Sequence, residues 1–402
     1  VPVRERGDPA VARAKSAVAV VFVVNGLAFA SWVSRVPAIR DTLGLTPGRI
    51  GLLLLFLSAG TLVALPLSGI VVGRLGPART VAAAVLAGAT GLLVVAGGLS
   101  VRSAAAVAAG LFVYGIGTSA WDVAMNVEGA DVERRLGRTV MPRFHAGFSL
   151  GTVLGALAGA GAARAGITLQ LQLVVTVGGI LVIGLLAVRS FLPPAPQPDD
   201  AGPRPSALLA WREPRTLAVG LLVLAFALCE GIANDWLALS LVDGYGAAEA
   251  VGAVGFGTFV TAMTVARLFG GSAVERYGRA PVLRVTAALV IAGVLAVVVS
   301  PGLPGAFAGA VLWGLGASLG FPLGMSAAAD DETGAAARVS VVSSIGYTAF
   351  LAGPPLVGLL ADGVGVRRAI LVAVGAAVVG LVTATAAAPR RVGAPTAVPG
   401  RA

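Results

Sequence analysis

Gly69-Ile70-Val71-Val72-Gly73-Arg74-Leu75-Gly76 and Gly271-Ser272-Ala273-Val274-Glu275-Arg276-Tyr277-Gly278-Arg279 are the two stretches on which the fold of this chain turns. They lie 202 residues apart and share Gly, Arg and Gly at the same spacing. The same offset relates Asp41 and Gly44 to Asp243 and Gly246, and Phe148 and Gly151 to Phe350 and Gly353. In a chain with 56 glycines single matches are cheap, but one register shared by three separate sites is not. The sequence therefore divides into two halves built on one plan.

Apolar sequence flanks both stretches. Of the 402 residues, 57% are hydrophobic and 12% charged, and the mean hydropathy is +0.92. Soluble domains carry about 25% charged residues, so a soluble enzyme is excluded. A helical bilayer span needs about 20 apolar residues. Twelve stretches qualify: 16–36, 50–72, 79–99, 103–124, 144–163, 167–188, 216–241, 250–273, 281–300, 304–327, 339–361 and 368–388. None reads as a cleaved signal peptide. The longest polar break is 189–215, where Pro193-Pro194-Ala195-Pro196-Gln197-Pro198 precedes Asp199 and Asp200 and forbids a helix. It links two six-span bundles, 16–188 and 216–388, with an N-terminal segment 1–15 and a C-terminal tail 389–402. The expectation is an all-α polytopic membrane protein.

The net charge of +10 comes from 28 Arg and one Lys scattered between apolar runs, which excludes a nucleic-acid surface. With the N-terminus inside, the inner segments hold 21 of these residues and the outer segments 7, while Arg267 falls within a span. By the positive-inside rule both termini are cytoplasmic. Cys229 is the lone cysteine, so no internal disulfide forms, and a single histidine excludes a multi-histidine metal site. The chain has no HExxH, Gly-rich phosphate loop, GxSxG elbow or protease dyad motif. No enzyme activity and no cofactor are expected.

Gly271 to Arg279 resembles the major facilitator signature G-x-x-x-D-[RK]-x-G-[RK], in the loop between the eighth and ninth spans where that signature belongs. The first-half copy has lost the acid at Gly73. Asp122-Val123-Ala124-Met125-Asn126-Val127-Glu128-Gly129, running on to Arg143-Phe144-His145, resembles the fucose permease-like branch. So do Ser34-Arg35-Val36-Pro37-Ala38-Ile39-Arg40 and Glu230-Gly231-Ile232-Ala233-Asn234-Asp235-Trp236. Over nearly its whole length the chain is similar to uncharacterised bacterial inner-membrane transporters of that branch. The resemblance implies the twelve-helix major facilitator fold.

An ionisable group inside a bilayer costs at least about 2.5–3.5 kcal/mol and usually faces a cavity, so in-span polar residues carry the functional reading. Asp122 follows 19 residues without a charge after Arg102, about 28 Å along the fourth span. Asn126 lies one turn on, on the same face. Position alone leaves Asp122 open to being an interfacial residue at a helix end. In fucose permease-like proteins an acid with Asn four residues later lines the cavity and takes up the coupling proton, and the resemblance carries that role to Asp122. The branch also has a first-span acid, where this chain offers Ser31, Trp32 and Ser34. Glu230, about 22 Å along the seventh span, is the candidate to replace it in proton coupling and to bind substrate with Asn234 above it. Asp235 and Trp236 fall nearer the outer surface, where Trp236 is expected to anchor at the headgroups.

The first helix of each half lines the cavity in the superfamily, which makes Asn25 and Trp32 substrate candidates beside Asn126 and Tyr347. The gating candidates are Arg35, Arg74, His145, Arg267, Glu275 and Arg276. Arg35 either snorkels at the outer mouth or pairs with Asp235 or Asp243. His145 sits at the repeat position of Tyr347 and is within reach of an acid such as Glu128. Arg267 reads as a gate or structural ion pair. Gly147, Gly151, Gly155 and Gly159 form a small-residue face for close helix packing.

The expected function is secondary active transport of a small polar, sugar-like solute across the bacterial inner membrane by alternating access, coupled to protons. The expected partners are the solute, protons and the lipid bilayer, and the expected state is a monomer. An exporter of hydrophobic or cationic compounds is the alternative, and a transport-dead sensor or scaffold is the third reading. The charge count makes a direct prediction. A cysteine placed at Ala201 is labelled by an impermeant reagent only from the cytoplasm, and one at Ala247 only from outside; labelling of both from one side refutes the orientation.

Overall fold

The computed structural model describes residues 8–137, 140–193, 207–330 and 335–388. The N-terminal seven residues, the proline-rich core of the expected linker and the tail beyond 388 lie outside the described residues. Every regular element within them is helical, and twelve helices are long and apolar enough to cross a membrane. The first half comprises Pro9–Val33 with an extension Val36–Leu43, then Pro47–Leu75, Pro77–Ser100, Ala104–Leu136, Met141–Arg164 and Leu169–Ala187. The second comprises Pro214–Tyr245, Glu249–Tyr277, Arg279–Val299, Leu303–Ala317 continued by Gly320–Ala328, Ala335–Val364, and Val366–Ala369 continued by Val372–Thr383. The protein is a multi-pass membrane protein of two six-helix bundles.

Local chemistry sets the helix ends. Four of these helices begin with proline, at Pro9, Pro47, Pro77 and Pro214. There its missing N–H costs nothing. Thr46, Ser103 and Thr168 accept hydrogen bonds from backbone amides at the starts of the second, fourth and sixth helices. Glycine stops recur at the repeat positions with the same backbone angles. Gly44 and Gly246 end their helices at φ 61° and 62°, while Gly76 and Gly278 turn at φ 79° and ψ 162° against φ 81° and ψ 163°. Such left-handed angles favour a residue without Cβ.

The second and eighth helices are both 29 residues long, and their ends differ by 202 in number at both termini. The register is nevertheless not unbroken. Gly91 packs on Gly110 and Tyr114 of the fourth helix, whereas its repeat mate Gly293 packs on Gly309 and Trp313 of the tenth, an offset of 199 on that side. The third helix, at 24 residues, is three longer than the ninth, at 21, while the turns that follow them are equal in length, and the offset of 202 resumes in the fifth and eleventh helices. The gapless repeat expected from the sequence holds at its three sites and slips between them.

The fifth helix lies backbone to backbone on the first. A Cβ added at Gly151 strikes the Val23 carbonyl, one at Gly155 comes 2.7 Å from the Leu27 carbonyl oxygen, and one at Gly26 strikes the Phe148 carbonyl. The glycine face of the fifth helix thus brings two helices close enough to present both to the interior. The halves meet along the second and eleventh helices, where Gly51 packs on Pro354. They meet again along the fifth and eighth, where a Cβ at Gly257 would lie 3.4 Å from Ala156. Leu171, Val175 and Val382 remain 55%, 68% and 72% exposed, as residues facing lipid do.

Trp236 corrects an expectation. It is fully buried, not at the headgroup level, and its ring end lies under Gly358 of the eleventh helix. The seventh helix continues to Tyr245, nine residues beyond it, and almost every residue between Ile232 and Leu241 is buried. The close approach of the first and fifth helices gives a contrast to measure. Gly151→Ala costs about 1–3 kcal/mol through overpacking and lowers the thermal midpoint of the purified protein, whereas Gly161→Ala, which meets nothing within 4 Å, leaves it unchanged.

Candidate functional site

Between the halves lies a cavity of about 320 Å³. The first helix contributes Asn25 and Phe29, the second Ser58 and Thr61, and the fourth Thr118, Ser119 and Asp122. Phe148 comes from the fifth, Asn234 and Asp235 from the seventh, and Tyr347 and Phe350 from the eleventh. Asn25 is held from two sides: its Nδ2 donates to Met125 Sδ at 3.7 Å, and the Thr118 hydroxyl donates to its Oδ1 at 3.3 Å. Asn126 Nδ2 donates to the Asp122 backbone carbonyl at 2.8 Å and to its carboxylate at 3.3 Å. The Asp122–Asn126 pairing expected from helical spacing is therefore formed, with Asp122 exposed into the cavity and Asn126 behind it.

A second lobe of about 170 Å³ shares Phe29, Thr118, Phe148, Asn234 and Phe350 with the first. Its charged pair is Glu230 and Arg267, joined at 2.9 Å, and Arg267 Nε also donates to the Ser318 carbonyl at 3.1 Å. Arg267, expected as a gate or structural ion pair, forms such a pair in the cavity wall and neutralises Glu230. The free second-half carboxylate is Asp235, which the sequence placed nearer the surface; it has no hydrogen bond or ion pair among the described residues. Asp235 is ten residues from the end of a 32-residue helix, about 15 Å below it. The run to the Gly246 stop would have located it at mid-depth.

Other candidates lie elsewhere. Trp32 is fully buried, edge-on to Phe29 and Tyr114 at centroid distances of 6.2 and 6.1 Å, and lines neither lobe. His145 is exposed and stands edge-on to Phe22 at 5.2 Å. The acid expected to meet it, Glu128, instead accepts from the Leu192 amide at 2.7 Å and ties the end of the sixth span to the fourth helix. Arg74 and Glu275 are exposed without ion pairs among the described residues, and Arg276 lies over the Tyr277 ring at 5.2 Å. The signature's last residue, Arg279, donates to Asp330 at 2.6 Å, and Arg215 does so at 3.0 Å. Burial pushes the Asp330 carboxyl up, but the two guanidiniums outweigh it and hold the group below its ordinary range.

At the end of the bundle away from the chain termini, the halves are bolted together. Arg35 is buried; it donates to Gln172 at 2.7 Å and to the Ile167 carbonyl at 3.2 Å, and it pairs with Glu249 of the eighth helix. Arg40 pairs with Asp243 of the seventh helix. Asp362 accepts from the Gly48 amide at 2.9 Å, so a carboxylate of one half caps the second helix of the other. The partner expected for Arg35 was Asp235 or Asp243. The first helix breaks at Ser34, and the extension Val36–Leu43 carries Arg40 to Asp243 and leaves Arg35 for Glu249. Every hydrogen bond or ion pair joining the halves between described residues lies at this end or, for Ser58 to the Phe350 carbonyl at 2.6 Å, near mid-depth. The conformation is sealed on that side.

The family description Major Facilitator Superfamily matches residues 18–330. An uncharacterised transporter of Sinorhizobium fredii, y4wD, is 34% identical over 354 residues, which cover 87% of this chain and 92% of that one. The solved structure of the nucleoside transporter NupG matches 93% of this chain and 98% of its own at a TM-score of 0.73 and 16% identity. That of the Escherichia coli fucose:proton symporter FucP matches 94% and 98% at 0.60 and 14%. These two likenesses show the fold.

The seal generates its own test. Glu249→Gln leaves the Arg35 guanidinium short of its counter-charge and loosens the sealed end by about 1–2 kcal/mol, roughly ten-fold in the ratio of open to closed molecules. Spin labels across that mouth, in the loops at Leu45 and Ala247, then show a longer distance component; an unchanged distribution removes the pair from gating.

Proposed function

The chain belongs to the Major Facilitator Superfamily, and from that premise we propose that this transporter moves a small polar solute, sugar-like in its hydrogen-bonding groups, across the bacterial inner membrane by alternating access coupled to protons. The observation that carries this reading is the cavity shared by the halves, sealed at one end by cross-half polar contacts and holding an unneutralised carboxylate, Asp122. Asn25, Thr118, Asn234 and Tyr347 offer amide and hydroxyl groups around the solute, and Phe29, Phe148 and Phe350 supply faces for its apolar surfaces.

With both termini cytoplasmic, as the charge bias supports, the sealed end is periplasmic and the conformation faces inward. Rocking of the bundles breaks the Arg35–Glu249 and Arg40–Asp243 pairs and frees Asp362 from Gly48. At the opposite end it brings Arg74 of the second helix and Glu275 and Arg276 of the eighth towards the other bundle, which is the gating role the repeat gives them. Asp122 takes a proton from one side and yields it to the other as its access changes. Glu230, while it holds Arg267, fixes the wall of the smaller lobe, and its protonation releases that arginine.

One proton moving down 100 mV supplies about 2.3 kcal/mol, enough to concentrate a neutral solute roughly fifty-fold. Asp122→Asn removes the proton site at nearly constant shape. In proteoliposomes it abolishes uphill accumulation while leaving solute exchange measurable, so the accumulation ratio falls to one. Transport by the unmutated protein that ignores pH takes the proton out of the mechanism, and an Asp122→Asn protein that still concentrates solute moves the coupling site elsewhere.

A further inference from the structure

We infer that the solute carries a protonated amine, a hydroxylated monocation rather than a neutral sugar, and that Asp235 is its counter-charge. The inference rests on the transporter reading above and names the substrate class of the same cavity. Two carboxylates line the main lobe from opposite halves, Asp122 and Asp235. The guanidinium of the cavity wall, Arg267, is spent on Glu230. With both carboxylates ionised, the empty lobe carries two uncompensated negative charges.

The carboxylates differ in their surroundings. Asp122 is already served by Asn126. Asp235 has neither a hydrogen bond nor an ion pair among the described residues. Once the cavity closes over its solute, a carboxylate cut off from water is an acceptor for which a cationic donor best compensates the loss of hydration. When one proton sits on Asp122 and one ammonium on Asp235, the loaded cavity is neutral. A neutral loaded cavity is what a low-dielectric occluded state requires. A neutral solute with one proton leaves one charge over, and an anionic solute is repelled.

A separate feature of the wall calls for hydroxyls on that cation. Ser119 lines the cavity at 4% exposure, and its hydroxyl has no hydrogen-bond partner. A buried hydroxyl without a partner is costly until a ligand supplies one. The Ser119 position therefore answers a polar group on the solute, one turn from Asp122 on the same helix. Phe29, Phe148, Tyr347 and Phe350 close the cavity with ring faces or edges, and ring faces attract a cation further.

The test uses the full-length protein in detergent and in proteoliposomes, with matched probes: glucosamine and glucose, galactosamine and galactose, ethanolamine and ethylene glycol, and tetraphenylphosphonium as an apolar cation. At least one hydroxylated amine is expected to bind about ten-fold or more tightly than its neutral parent, the usual worth of a charge-assisted hydrogen bond. Asp235→Asn removes that preference, amine and parent then binding alike, while Ser119→Ala weakens both in step and keeps the preference. Retained thermal midpoints confirm that both variants fold. If neutral sugars bind and are exchanged as well as the amines, and Asp235→Asn changes neither, the amine is refuted and the transporter stands. Selective binding of tetraphenylphosphonium also refutes it. If none of the probes binds or exchanges, both the amine and the polar-solute reading fall.

Discussion

A charge enclosed by hydrocarbon must find an opposite charge or water, and the arrangement of this protein follows from how each of its in-span charges meets that demand. Arg35 is met by Glu249, Gln172 and a backbone carbonyl. Glu230 and Arg267 meet each other. Asp122 and Asp235 meet no cation among the described residues, so water or a solute must reach them, and both open onto the central cavity. The pairs hold the walls, and the unpaired acids mark the path. The same demand explains why the contacts that seal one end are polar.

Much of this was legible in the sequence. Composition gave the spans, the repeat gave their division, and four-residue spacing placed Asn126 beside Asp122. What escaped has physical reasons. The three-residue slip leaves no mark at the three sites where the halves match, because it falls between them, in the greater length of the third helix over the ninth. The partner of Arg35 could not be chosen without the break at Ser34, which redirects the next turn of chain. Asp235 and Trp236 were misplaced because depth was counted from one end of the helix, while the Gly246 stop lies well beyond them. Trp32 satisfied the spacing expected of a cavity face yet packs against Tyr114 from a neighbouring helix, a fact of tertiary packing.

The two halves share a plan but not a chemistry. Through the slipped register, Ser119 of the fourth helix corresponds to Ser318 of the tenth. In the first half the helix runs on unbroken and the hydroxyl stands in the cavity wall without a partner. In the second the helix breaks after Ala317; the Ser318 hydroxyl returns to the Leu315 carbonyl, and its own carbonyl receives Arg267. One duplicated position thus leaves a hydroxyl open to the cavity in one half and serves the architecture in the other.

The two ion pairs at the sealed end differ in exposure. Their arginines differ, Arg35 at 4% against Arg40 at 16%, while the carboxylates Glu249 and Asp243 are nearly alike at 27% and 30%. Dissolved salt screens charges over about 8 Å in physiological medium and about 3 Å at molar strength, and it reaches exposed pairs far more than enclosed ones. The Arg40–Asp243 rivet is therefore the more open of the two to the surrounding medium. Rising salt at that end weakens it ahead of the Arg35–Glu249 rivet, with no change in sequence and no ligand bound.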